Sequence, residues 1–152
     1  MYHLGLDIGG TKMEAVLLDA TGTVVLRERR PTYKDHYRGF LDNLTEMING
    51  IRSATQVDFT VGVGLPGAID PLTGLIKNCN CLVLNGENLK RDLTVLLDQP
   101  VFLANDADCF TLSEAVDGAG KGYGTVFGVI VGTGCGGGVV VNGQLLSGPN
   151  AI

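Results

Sequence analysis

Apolar and polar residues alternate from the start of the chain: Leu4, Leu6 and Ile8 interleave with Gly5 and Asp7, and a second apolar set, Ala15 and Leu17 with Val16 and Leu18, follows the polar stretch "GGTK". This period of two predicts two strands. "DATG" at 19–22 predicts another turn before "TVVLRERR", so the opening reads as a meander. The period then changes. "YRGFLDNLTEMINGIRSA" sets Phe40, Leu41, Leu44, Met47, Ile48 and Ile51 on one face at helical spacing, and "FTVGVGLPG" predicts a buried strand ending in a tight loop. A short helix over "NLKRDLTVLLD", a strand at "PVFLA" and a helix through "DADCFTLSEAVDG", ending near Gly118, follow. Beyond Lys121 no charged residue remains, and "TVFGVIVGTGCGGGVVV" has the polarity of a membrane span. Its glycines argue against a helix, so the stretch predicts a buried hairpin, Val126–Val131 and Val139–Val141, around a glycine turn at Gly132–Gly138.

The order βββαβαβα, then ββ, describes an α/β chain. The glycine-rich "GAGKGYG" at 118–124 is the best domain boundary. It divides residues 1–119 from a segment, 120–152, that is shorter than the ~50 residues a domain core needs. The chain is therefore expected to be the N-terminal part of a longer protein.

Composition adds exclusions. The 152 residues are 45% hydrophobic, enough for a packed core, and carry a net charge of −5 with the basic residues scattered. No electrostatic footprint for nucleic acid or an anionic membrane results. Asp7 interrupts the first apolar stretch, which argues against a signal peptide and for a cytoplasmic protein. Cys79, Cys81, Cys109 and Cys135 form no CxxC pair and have no neighbouring histidine, so they read as reduced, small buried hydrophobes rather than metal ligands.

The candidate chemistry lies in the loops. "GVGLPG" at 62–67 and "GTGCGG" at 132–137 match the dinucleotide fingerprint by letter, but neither is followed by a helix to receive a pyrophosphate. "AGKGYG" is no Walker A loop, lacking its upstream glycine and its following hydroxyl. Instead, "DIGGTK" and "GTGCGGG" each sit between two strands and offer bare backbone N–H groups with a threonine hydroxyl. Two such turns facing each other would suit phosphates, with Lys12 neutralising charge and Asp7 holding Mg²⁺ through water; alternatively Asp7 merely shapes a turn. In "LANDAD", Asn105 and Asp106 fall where a strand ends and a helix begins. Asp106 reads either as a helix N-cap or as the carboxylate that takes a proton from a substrate hydroxyl.

Taken together, these motifs resemble the ROK family of sugar kinases and regulators, within the ribonuclease-H-like, actin-like ATPases. "DIGGTK" looks like the first phosphate loop, "GLPG" the substrate-side loop, "LANDAD" the catalytic segment and "GTGCGGG" the second phosphate loop. The resemblance implies an actin-like domain with a mixed sheet opening in a meander, plus the first hairpin of a second, similar domain. It implies an ATP-dependent hexose kinase using Mg²⁺, a homodimer when full length. Asp106 would be the base, with Asn105 and Asn80 on sugar hydroxyls and Gly67 lining the sugar pocket. The turns carrying Gly9, Gly10, Thr11 and Lys12, and Gly132, Thr133, Gly134, Gly136 and Gly137, would hold ATP phosphates. Glu114 receives no role. Family members continue with an E-x-G-H segment and a cysteine-rich zinc motif, so a structural zinc is expected only beyond these residues. "KNCNCLVLNGENL" at 77–89 resembles the fructose and mannose kinases, Asn78 and Asn80 offering amides to plain hydroxyls or shaping turns; an N-acetylglucosamine kinase is the alternative. The family's sugar-sensing regulators carry a helix-turn-helix before the first loop, and here a strand starts at Tyr2, which weighs against that reading.

Overall fold

The computed structural model describes residues 1–132 and 134–148. In chain order the elements are β1 (Tyr2–Ile8), β2 (Lys12–Leu18), β3 (Val24–Pro31), α1 (Tyr37–Thr55), β4 (Phe59–Leu65), β5 (Ala68–Ile69) and β6 (Ile76–Lys77). A 3-10 turn at Leu82–Leu84, α2 (Leu89–Leu97), β7 (Val101–Asn105), α3 (Asp106–Val116), β8 (Thr125–Val131), β9 (Cys135–Val141) and β10 (Gln144–Leu145) complete it.

A mixed sheet runs in the order β3-β2-β1-β4-β7, the meander β1–β3 antiparallel and β1, β4 and β7 parallel. The alternation along β1 decides its faces: Leu4, Leu6 and Ile8 turn to one side, where they join Met13, Ala15, Leu17, Val61, Val63 and Leu65. The apolar stripe of α1 and Leu89, Leu93 and Leu97 of α2 close this side into one core. Each leucine fully buried there contributes ~1.5–3 kcal/mol relative to exposure. Both helices are held at their starts by side chains: His36 accepts the Gly39 N–H for α1, and Asn88 accepts the Arg91 N–H for α2. The opposite face of the sheet carries Gly5, Asp7, Gly62 and Gly64, and α3 crosses it, the Cys109 sulfur lying 3.6 Å from where a Cβ on Gly64 would stand.

The sequence expectation of a buried hairpin at 126–141 is corrected. β8 and β9 pair antiparallel, but Phe127, Val129 and Val131 are 69%, 52% and 78% exposed. Only the inner face packs, and it packs on α3: Gly128 and Gly138 are cross-strand partners, and a Cβ on either would collide with Thr111. The long apolar run therefore buries one face only. The glycine turn is also shorter than expected, because β9 begins at Cys135 and takes Gly136 and Gly137 into the strand. Among the described residues no helix is long and apolar enough to cross a membrane.

Candidate functional site

The parallel strands β1, β4 and β7 end on the same side of the sheet, so the segments that follow them, Gly9–Thr11, Pro66–Gly67 and the start of α3, share one edge. Such edges collect ligand sites in α/β sheets. In register across it, Asp7 lies beside Gly64, and a Cβ on Gly64 would stand 4.0 Å from the Asp106 Cα. The missing side chain at Gly64 leaves room for the Cys109 sulfur, 3.6 Å from that position, and so lets the start of α3 with Asp106 lie close to β4.

Each glycine at this edge has its own local reason. The Gly9 N–H donates to the Lys12 carbonyl at 2.9 Å, and a Cβ on Gly9 would press to 2.7 Å from that oxygen. Gly67 is buried because the 77–79 segment crosses it, with the Cys79 Cα 2.9 Å from its would-be Cβ. Gly136 rests on Ala107 of α3, whereas Gly132 has nothing within 4 Å of its open side. Asn80 stands between the two turns: its carbonyl lies 3.7 Å from the would-be Cβ of Gly10, and its Nδ2 lies 3.3 Å from that of Gly134.

Asn105, not Asp106, is the N-cap of α3. Its Oδ1 accepts the N–H of Ala107 and of Asp108, and its Nδ2 donates to the Gly67 carbonyl at 3.0 Å. One amide hydrogen of Asn105 is left for another partner. Asp106 Oδ1 takes a second bond from the Ala107 N–H at 2.9 Å. Burial, then the Asp106 charge and Glu14, raises the Asp7 carboxyl above its ordinary value against an opposing pull from Lys12; Asp108 is raised by burial and then by Asp106. Burial is the larger cause in both, with the neighbouring carboxylate adding to it, and among the described residues no cluster of three or more metal-ligating side chains forms.

These groups line one cavity of about 1160 Å³. Asp7, Gly9, Gly10, Thr11, Gly67, Asn80, Asn105, Asp106, Gly132, Gly134, Gly136 and Gly137 are on its walls; Lys12 is not, and Thr133 lies outside the described residues. Lys12 starts β2 with an exposed side chain opposite Pro31. Asp108, Asn78 and Ser147 line the cavity too. Sequence reasoning passed over Asp108, although its place two residues after Asp106 in the first turn of a helix was a usable signal. Asn78 has φ +53°, so it shapes a left-handed turn as well as facing the cavity. Glu114 has a structural task, its Oε2 accepting the Ala119 N–H at 2.7 Å and its carbonyl the Gly120 N–H at the end of α3. All four cysteines are free thiols; Cys79 and Cys81 are buried, but Cys109 and Cys135 are exposed, which corrects the expectation for those two.

The sequence matches the ROK family over residues 3–152. N-acetyl-D-glucosamine kinase of Haemophilus influenzae is 42% identical over 97% of this chain and 48% of its own length. The enzyme of that name from Salmonella newport is 40% identical over the whole chain and half of its own length. Among solved structures, a ROK family glucokinase from Streptomyces griseus, in complex with glucose and AMPPNP, superposes with a TM-score of 0.87 at 27% identity, covering 100% of this chain and 48% of its own. The chain thus spans about half the length of the relatives it matches.

Proposed function

The chain belongs to the ROK family and has its actin-like α/β fold, and from that premise we propose that it is the N-terminal part of an ATP-dependent sugar kinase. The observation that carries this reading is the convergence of Asp7, Asp106 and both glycine turns on one cavity. Asp106 is the base: it takes the proton of the sugar hydroxyl that attacks the terminal phosphoryl group. Asn105, fixed by its cap and its bond to Gly67, gives its remaining amide hydrogen to a sugar hydroxyl, and Asn80 contacts the sugar from the other side. The turns at Gly9–Lys12 and Gly132–Gly137 receive the phosphates through backbone N–H groups other than those of Gly9 and Gly132, which already bond the Lys12 and Gly134 carbonyls, with Thr133 assisting. Bare backbone at Gly10 and Gly132 fits a nucleotide's phosphates, which no Cβ obstructs there. Asp7 and Asp108, both on the cavity wall, offer the oxygen ligands that Mg²⁺ takes, and the ion would offset phosphate charge; Asp7 would hold it through water.

The sugar proposed is N-acetylglucosamine. Relatives at 40–42% identity carry that name, which outweighs the reading of 77–89 as a fructose or mannose loop. Residues 1–119 would form the first domain and 120–152 open the second, in a cytoplasmic enzyme. The test is ADP release by the product of the complete reading frame, with N-acetylglucosamine, glucose, mannose and fructose compared at one ATP concentration. N-acetylglucosamine is expected to exceed the others by ~10-fold or more in kcat/KM, about 1.4 kcal/mol of differential transition-state binding. A higher kcat/KM for fructose or mannose restores the loop reading, and no sugar-dependent turnover at all removes the kinase assignment.

A further inference from the structure

We propose that Thr32 is a positioning residue that holds the Gly9–Thr11 turn in its anion-receiving form. Thr32 follows β3 and is 5% exposed, and it is absent from the cavity wall that Gly9, Gly10 and Thr11 line. It grips the turn from behind at two points: its Oγ1 donates to the Gly9 carbonyl at 2.8 Å, and its backbone N–H donates to the Thr11 carbonyl at 3.0 Å. In an ordinary two-residue hairpin the first carbonyl takes the N–H three residues on; here the Gly9 carbonyl takes a hydroxyl from a neighbouring strand.

The consequence follows from peptide geometry. A planar trans peptide points its carbonyl and its N–H in opposite directions. A Gly9 carbonyl drawn back to Thr32 therefore turns the Gly10 N–H to the cavity side, whose wall Gly10 lines, while the bond to the Thr11 carbonyl fixes the far end of the turn. The hydroxyl contribution is separable from the ladder bond, since a valine keeps the backbone N–H and the shape while losing Oγ1.

This rests on the reading of the turn as a phosphate loop, and the test distinguishes the two. The ¹⁵N-labelled 152-residue chain is titrated with inorganic tripolyphosphate while the Gly10 and Thr11 amide resonances, both of cavity-wall residues, are followed, with denaturant unfolding measured alongside. In the wild type both amides are expected to shift on saturation. Thr32→Val is expected to weaken tripolyphosphate binding by roughly 3- to 10-fold, the range for one lost hydrogen bond, and Thr32→Ser to restore it. Tripolyphosphate affinity unchanged in Thr32→Val, with the wild-type amides responding, overturns the role of Thr32 alone. Silent wild-type amides overturn the phosphate loop and this proposal with it. Should Thr32→Val not fold, Thr32→Ala takes its place under the same expectations.

Discussion

The turn at Gly9–Thr11 joins two strands in the middle of a five-stranded sheet whose other side is sealed by α1 and α2, whereas Gly132 and Gly134 tip a hairpin whose outer face is open to solvent. Both have glycine, threonine and flanking apolar strands, and both reach the same cavity. Their construction differs. The first turn is braced by Thr32 and by the Gly9–Lys12 bond, its strands locked by buried Leu6, Ile8 and Met13. The second lies on a glycine spine, Gly128, Gly136 and Gly138, that exists so that two strands can approach Thr111 and Ala107 of α3. Glycine content alone therefore does not report a phosphate loop: it serves open N–H groups at a turn and backbone approach in a strand.

The sharpest way to break this contrast is to remove bulk from each region. Leu44 is fully buried under the sheet that carries the first turn, so Leu44→Ala is expected to cost ~2–5 kcal/mol in urea unfolding. Phe127→Ala, on the open face of the hairpin, is expected to stay within ~0.5 kcal/mol. Comparable losses from the two would show that the hairpin is covered in solution. Next comes Asp106, the residue onto which both turns open. In the product of the complete reading frame, Asp106→Asn is expected to lower kcat by ~100-fold or more with sugar KM little changed, since Asn105 keeps the cap of α3. Retained kcat would remove Asp106 as the base and leave the two turns without a shared reaction centre.

The glycine spine gives a smaller effect. A Cβ at Gly138 would meet Thr111 Oγ1 at 2.7 Å and the Ala107 carbonyl at 3.0 Å, so Gly138→Ala is expected to destabilise by ~1–3 kcal/mol. Gly132→Ala, with free space around it, should cost little stability by the same denaturant measurement. Equal losses would put the two glycines in one class after all. The smallest effect concerns the segment that bridges the turns, held by the β5–β6 hairpin. The N–H groups of Thr73 and Leu72, and more weakly the Thr73 hydroxyl and Lys77, hold the Asp70 carboxyl down to about 2. A lowered folded value means that the stabilisation is present above the ordinary carboxylate range and is lost as pH falls through it towards 2. Asp70→Asn should thus melt slightly below the wild type at pH 7, and the two melting curves should converge in acid. A gap that widens in acid would reverse the sign.

Much of the fold could be read from periodicity. The meander, α1 with its six inward residues, and the order of β4, α2, β7 and α3 lie where alternation and helical spacing put them. β5, β6, the 3-10 turn and β10 were not legible, because elements of two or three residues carry no period and depend on partners distant in sequence: Asn85 reaches both the N–H and the carbonyl of Cys79, and the Ile76 N–H bonds the Glu87 carbonyl. The hairpin misled because an apolar β-branched strand looks the same from sequence whether one face is packed or two.

Within the site, chain order placed "DIGGTK" and "ND" at strand ends, and their residue types indicated phosphate and proton chemistry. By itself the sequence determined the alternation that turns Asp7 away from the core, and the small residues that leave backbone bare. Only the tertiary structure decided which of two adjacent polar residues caps α3, that Lys12 stands off the cavity wall, and that Thr32 reaches Gly9. The physical reason is range. Side-chain period and turn chemistry act over a few residues, whereas the Asn105 bond to Gly67 and the Thr32 bond to Gly9 span 38 and 23 residues and exist only once β1, β3, β4 and β7 have paired.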